Sequence, residues 1–280
     1  MWFDREGKSV GTVGPPGQYN ELALSPDGRR VAVTRSDSAG ANLDLWMVDI
    51  ERGVPSRFTS DPAMDWDPVW SPDGRTVAFA SDRVKGINAI YTKDANNVGT
   101  EQPLIPPGND SQRPKDWSPD GKLLLFTQYS DGNAAQGSLW VLPLAGDRKP
   151  VPFLTMPYPQ SQGQFYPVAS AGSHWVAYIS NETGRNEVYV QSFPPGAGKV
   201  QVSSEGGVQP RWRRDGRELF YIAADGKLIA AEVKRASSMF ELGASKRAVP
   251  DPHIGRRWRH DQLRVPLRRG CGWQALPHPC

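Results

Sequence analysis

The sequence predicts an all-β protein, a six-bladed β-propeller of repeated four-stranded sheets. A Ser-Pro-Asp-Gly turn occurs three times, beginning at Ser25, Ser71 and Ser118, and the copies are 46 and 47 positions apart. A repeat of this length is typical of propellers and related arrays. The 28 glycines and 26 prolines favour short strands joined by tight turns, and no long helical periodicity is present.

Each turn residue has a specific conformational role. Proline presets φ at the first central position, aspartate caps the local backbone, and glycine takes the left-handed conformation. The turn therefore predicts a tight β-hairpin, and we interpret it as scaffold without a ligand contact. The turns comprise Ser25, Pro26, Asp27 and Gly28; Ser71, Pro72, Asp73 and Gly74; Ser118, Pro119, Asp120 and Gly121.

A third and a weaker fourth apolar run follow each hairpin. The third runs cover residues 43–49, 88–93 and 138–142, and the fourth runs include 56–59 and 102–105. Four strands per repeat make one propeller blade. An aromatic residue recurs within the third runs and is expected to pack between blades. These aromatic residues are Trp46, Tyr91, Trp140 and Tyr189.

Two degenerate repeats and a partial one extend the series. Residues 167–178 keep the flanking strands of the hairpin but not its turn, whereas residues 210–221 keep Asp215 and Gly216. Residues 2–7 match the third strand and following turn of a blade. We therefore expect five repeats plus an N-terminal half-blade, with a closing hairpin near position 258 that the sequence does not supply.

The composition changes abruptly after position 250, so we predict a propeller over residues 1–250 and an irregular basic tail over 251–280. The tail holds six arginines, no lysine, both cysteines and three of the four histidines. Three interpretations stay open: out-of-frame translation, a genuine tail that binds an acidic partner, and a disordered extension.

Without the tail the chain is nearly neutral, which argues against nucleic-acid binding. The sequence shows no signal-peptide pattern and no apolar run long enough to span a membrane, and it leaves the cellular location undetermined.

The repeats resemble TolB-like six-bladed propellers, through residues 70–74 and 117–121 and the apolar runs that follow them. The chain is most similar to the propellers C-terminal to bacterial serine/threonine kinase domains, through residues 2–8, 24–33 and 44–49. Kinase motifs are absent from this chain. The resemblance implies a sensor or interaction module, and an extracytoplasmic position if the membrane-anchored arrangement of such kinases applies.

Residue patterns for catalysis and metal binding are weak. Related propellers cap prolyl oligopeptidase-type hydrolases, but no Gly-x-Ser-x-Gly elbow is present, and residues 172–174 lack its second glycine. Tail residues of zinc-ligand type have no compact spacing, and Asp61, Asp65 and Asp67 are expected to form a solvated loop rather than a calcium site. We predict no enzyme activity and no cofactor. The tail residues concerned are His253, His260, His278, Cys271 and Cys280.

Seven residues just before the predicted inner strands are the candidate ligand contacts. If this part of the chain opens at the central channel, exposed aromatics beside an arginine would suit recognition of a protein, peptide or small ligand. Ordinary loop packing is the competing interpretation. A binding module is our first hypothesis, and the alternatives are a hydrolase cap without its catalytic domain and a propeller enzyme with metal-holding carboxylates. The candidates are Asp65, Trp66, Arg113, Gln164, Phe165, Tyr166 and Gln209.

Overall fold

The computed structural model describes residues 1–4, 8–36, 42–130, 136–168, 174–196, 198–236 and 239–249. Twenty-two strands account for the regular structure of these ranges. The strands are β1 (Trp2–Phe3), β2 (Ser9–Gly11), β3 (Tyr19–Leu24), β4 (Arg30–Ser36), β5 (Leu43–Asp49), β6 (Pro55–Arg57), β7 (Asp65–Trp70), β8 (Thr76–Val84), β9 (Ile87–Asp94), β10 (Gln102–Pro103), β11 (Ser111–Trp117), β12 (Leu123–Tyr129), β13 (Gly137–Pro143), β14 (Val151–Pro152), β15 (Gln160–Phe165), β16 (His174–Ser180), β17 (Glu187–Phe193), β18 (Lys199–Gln201), β19 (Gly207–Trp212), β20 (Glu218–Ala223), β21 (Leu228–Ala236) and β22 (Phe240–Val249).

The strands from β3 to β22 form five four-stranded antiparallel sheets within the described ranges. Each sheet takes four strands that are consecutive in the sequence, so that every strand pairs with the strand before or after it. We number these sheets as blades one to five, beginning with β3–β6. This arrangement is the one that the four apolar runs of each repeat predict.

The first strand of each blade is its inner strand. Strand β7 contacts both β3 and β11, and β15 contacts both β11 and β19. One cavity is lined by residues from all five of these strands. The inner strands therefore surround a common axis, and the predicted propeller architecture is confirmed.

Apolar side chains pack between successive blades. Leu45 of blade one and Phe79 of blade two are fully buried in one cluster, which also contains Tyr91. Tyr189 of blade four packs with Phe153 of blade three in another cluster. Because burial of one such side chain contributes roughly 1.5–3 kcal/mol, these interfaces stabilise the order of the blades.

The N-terminal segment forms a separate two-stranded sheet, in which β1 pairs antiparallel with β2 and Trp2 lies opposite Gly11. This pairing matches the half-blade expected from residues 2–7. The predicted tail, residues 251–280, and the position near 258 lie outside the described residues, as do Gly172 and Ser173. Among the residues that the structure does describe, no helix is long and apolar enough to cross a membrane.

Candidate functional site

A bulge halfway along the inner strand changes where the candidate residues lie. In β7 the pairing with β8 shifts between Trp66 and Val69, and Asp67 in the bulge has a left-handed φ of 53°. Bulges of this kind bend a strand and re-aim its side chains. The inner strand thus begins earlier than its apolar pattern indicates. The corresponding left-handed residues in blades four and five are Gln162 and Gln209.

Six of the seven candidate residues consequently lie within inner strands, and the seventh directly follows one. They separate into a group at the beginning of the strands and a group near the turns that end them. The positions are Asp65 and Trp66 on β7, Arg113 on β11, Gln164 and Phe165 on β15, Gln209 on β19, and Tyr166 after β15.

A cavity of about 310 Å³ lies on the axis at the turn end of the inner strands. Its walls combine aromatic rings, prolines and charged side chains, and Gln164 and Phe165 are the two sequence candidates that line it. The other principal lining residues are Trp70, Trp117, Pro26, Pro72, Pro119, Pro167, Lys115, Asp116, Arg211 and Arg214. We call this space the axial cavity. Most of these residues belong to the turns and their flanking tryptophans, which the sequence pattern predicts to be scaffold.

Hydrogen bonds within the turns hold their prolines at the axial cavity. Ser71 Oγ donates to Asp73 Oδ1 at 2.6 Å and accepts from the Thr76 amide at 2.9 Å. The hydrogen bonds from Ser71 and the Arg75 amide lower the pKa of Asp73. Gly74 has a φ of 71°, the left-handed conformation that glycine adopts without strain. The same hydroxyl-to-carboxylate bond recurs at Ser25 and Ser118.

Polar contacts join neighbouring inner strands beside the axial cavity. Lys115 Nζ lies 2.9 Å from Asp67 Oδ2, and both side chains are nearly buried. One residue further on, Asp116 Oδ2 accepts a 2.8 Å hydrogen bond from the Phe165 amide. These contacts connect blade two to blade three and blade three to blade four. They fix the walls of the axial cavity.

At the other end of the inner strands, Arg113 stacks on two aromatic rings. Its guanidinium carbon lies 4.8 Å from the centre of the Trp66 ring and 5.7 Å from that of Tyr129. Arg113 Nε and Trp66 Nε1 are buried and have no hydrogen-bond acceptor among the described residues. Sequence position alone associated Trp66 with Arg113, and the structure places the two side chains in direct contact.

Asp65 belongs to the interior rather than to an open surface. Its carboxylate is completely buried and lies 3.1 Å from an Arg83 terminal nitrogen, and burial raises its pKa. Asp67 is also buried. The expectation that both acids lie in a solvated loop is therefore wrong, because they lie on β7 and are engaged by Arg83 and Lys115.

The remaining candidates join blades four and five. The Gln209 amide donates to Gln162 Oε1 at 2.7 Å, and Trp212 Nε1 donates to the Gln164 carbonyl at 3.2 Å. Tyr166 packs edge-on against Trp212, and burial raises the pKa of its phenol. These contacts connect Tyr166 and Gln209 to blades four and five, whereas Trp66 and Arg113 join blades two and three.

No group of three or more histidine, cysteine, aspartate or glutamate side chains suited to a metal ion occurs in the described ranges. The five tail residues of zinc-ligand type lie outside those ranges. A larger cavity of about 690 Å³ lies along the fifth blade, away from the axis, and Tyr166 is one of its lining residues.

Comparison with known proteins identifies the repeats. The TolB beta propeller domain family matches residues 10–141. An uncharacterized peptidase of Bacillus subtilis, YuxL, is 34% identical over 109 residues, which cover 37% of this chain and 16% of the relative. The Tol-Pal system protein TolB of Alcanivorax borkumensis is 31% identical over 120 residues, which cover 43% of this chain and 26% of the relative. The matched segments thus span only 16% and 26% of the length of these two relatives.

Solved structures show the same architecture at low sequence identity. A TolB-designated protein from Agrobacterium tumefaciens aligns with a TM-score of 0.65 at 15% identity, covering 84% of this chain and 86% of that structure. Prolyl oligopeptidase B from Galerina marginata aligns with a TM-score of 0.57 at 12% identity, covering 83% and 35% of the two chains. At these identities the alignments show the fold alone. Residues 10–141 therefore match TolB-type propeller repeats, and the chain as a whole has the fold of a β-propeller.

Proposed function

We propose that this chain is a non-catalytic binding module whose axial cavity receives a segment of a protein or peptide partner. The observation that carries the proposal is the composition of the cavity, to which all five inner strands contribute. Trp70, Trp117 and Phe165 contribute aromatic rings to its lining, and Lys115 and Arg211 contribute cationic side chains. Aromatic and arginine residues in a concave site are the usual anchors of protein recognition.

The polar groups of the axial cavity support recognition rather than chemistry. Lys115 is paired with Asp67, and Asp116 accepts a backbone hydrogen bond, so both side chains have positioning roles. A general acid or base needs a group free to exchange a proton with substrate. The fixed walls instead favour a preformed binding surface, which lowers the entropic cost of association.

A second candidate function is the propeller of a peptidase whose catalytic domain lies outside this chain. It is favoured by the 34% identity over 109 residues to a protein named as a peptidase. The binding module has a narrower form, in which it is attached to a kinase domain on the extracytoplasmic side. The resemblance of residues 24–33 and 44–49 to kinase-associated propellers supports this form. Neighbouring coding sequence distinguishes them: a kinase segment upstream supports one version, and a hydrolase segment downstream supports the other.

The binding proposal can be tested by selecting phage-displayed random dodecapeptides on the immobilised full chain. Enriched peptides are then synthesised and titrated against the chain and two variants by calorimetry. Pro119→Trp places a large ring at the rim of the axial cavity. Lys122→Trp places the same ring at an exposed position of the same hairpin.

We expect Pro119→Trp to weaken binding at least about tenfold, since blocking a central pocket typically removes 1.4 kcal/mol or more. Lys122→Trp should bind like the parent chain. Circular dichroism and thermal unfolding show whether both variants keep the fold. Failure to enrich any peptide, or equal binding by both variants, would contradict the proposal.

A further inference from the structure

We propose that Trp66 and Arg113 form a carboxylate-binding site, distinct from the axial cavity, that takes an acidic side chain or the C-terminal carboxylate of a peptide. The site lies at the beginning of β7 and β11, between blades two and three. The proposal that the site binds a carboxylate depends only on these two side chains. The proposal that the carboxylate belongs to a peptide rests on the proposed function.

Arg113 has unused hydrogen-bonding capacity. Within the described ranges its guanidinium makes no ion pair and donates no hydrogen bond, and its recorded contacts are with the Trp66 and Tyr129 rings. Aromatic rings interact with the face of a guanidinium, and the N–H donors at its edge stay available for oxygen acceptors. Arg113 is half-buried; its Nε is buried, whereas its two terminal nitrogens are not among the buried unpaired atoms, so an external acceptor can approach the guanidinium at these terminal nitrogens.

A second donor lies in contact with the first. The Trp66 indole nitrogen is buried without an acceptor among the described residues, and so is Arg113 Nε. Buried donors normally have partners, so two orphan donors on adjacent side chains show that this end of β7 and β11 is short of hydrogen-bond acceptors. A carboxylate fits best, because its two coplanar oxygens match the guanidinium fork.

Acidic groups on the same strands have other partners. Asp65 is engaged by Arg83, and Asp67 by Lys115. Asp110, just before β11, accepts a 2.8 Å hydrogen bond from the side chain of Gln128. Each of these acids has its own hydrogen-bond or ion-pair donor. None of them pairs with Arg113, whose positive charge is therefore available to a ligand. The surrounding strands fix both residues, with Trp66 opposite Ala80 and Arg113 opposite Thr127.

Nuclear magnetic resonance of the tryptophan indole groups tests the site directly. The Trp66 indole signal is assigned by its loss in Trp66→Phe. The probes are sodium acetate, inorganic phosphate, a blocked pentapeptide with a central glutamate, its glutamine counterpart, and blocked pentaglycine with either a free or an amidated C-terminus. We expect acetate and at least one carboxylate-bearing peptide to shift the Trp66 signal, and the glutamine and amidated peptides to leave it in place.

Arg113 variants supply the second measurement. Arg113→Gln should abolish the shift, and Arg113→Lys, which keeps the charge but loses the planar fork, should weaken binding about tenfold. The control is Arg35→Gln, since Arg35 also stacks on a tryptophan, at 5.1 Å from the Trp46 ring, but lies on blade one. It should bind like the parent chain.

Three results would overturn the inference. An unmoved Trp66 signal in acetate excludes the carboxylate site, and equal binding of phosphate excludes the preference for carboxylate. A response to acetate but to neither carboxylate-bearing peptide excludes the peptide assignment. Each result is independent of Pro119→Trp, which tests the axial cavity, so the two proposals can fail separately.

Discussion

Replacing Arg83 by methionine tests whether Asp65 belongs to the interior or to a binding surface. Arg83 is 14% exposed and its terminal nitrogen lies 3.1 Å from the fully buried Asp65 carboxylate. The guanidinium also stacks on the Tyr91 ring at 4.4 Å. Methionine keeps most of the aliphatic stem and removes the charge, so Asp65 loses its ion pair while the packing is largely retained.

The expected destabilisation of Arg83→Met is about 3 kcal/mol near neutral pH. Removing one partner of a buried ion pair typically costs about 3–5 kcal/mol, because the other charge stays buried and uncompensated. The lower end applies here, since Asp65 keeps hydrogen bonds from the side chains of Ser81 and Thr59. Adding Asp65→Asn to Arg83→Met should recover most of the loss by removing the stranded charge.

The pH dependence has a definite sign. Burial already raises the pKa of Asp65 in the folded chain, and loss of the nearby Arg83 charge raises it further. A carboxyl whose folded pKa exceeds its unfolded pKa favours folding when it is protonated. The deficit of Arg83→Met should therefore be largest near neutral pH and shrink as the pH falls through the folded pKa of Asp65.

Urea unfolding followed by circular dichroism measures these differences. Arg75→Met is the matched control, because Arg75 is exposed in the turn of the same blade. A loss for Arg83→Met no greater than for Arg75→Met, or no recovery in the double variant, would refute the interior role of Asp65.

Two further predictions concern buried hydroxyls. Ser118→Ala should lower the free energy of unfolding by about 1–2 kcal/mol, because Oγ bonds both Asp120 and the Leu123 amide, and urea titration against Lys122→Ala should show the larger loss in the serine variant. Tyr178→Phe should be neutral or stabilising by up to about 1 kcal/mol, because the buried Tyr178 hydroxyl has no partner among the described residues; a clear loss in thermal unfolding would contradict this.

Parts of the candidate site could be predicted from the sequence. Register relative to the turn was enough to select Trp66 and Arg113, because equivalent positions in successive repeats come close together around an axis. The axial cavity was missed, since Pro72 and Trp70 carry no local signal that separates cavity lining from scaffold. The burial of Asp65 was missed because its partner, Arg83, lies on the next strand.

By itself, the sequence determined the architecture of this protein. The residue types of the turn that begins at Ser71 determine its conformation. The spacing of about 46 positions between its copies indicates units of equal size, which pack their apolar faces against one another. Only the tertiary structure decided which side chains are interior and which are open. A bulge with a left-handed Asp67 re-aims its neighbours, and contacts such as that between Trp66 and Arg113 join different blades. Both depend on packing between segments distant in the sequence, which no local pattern encodes.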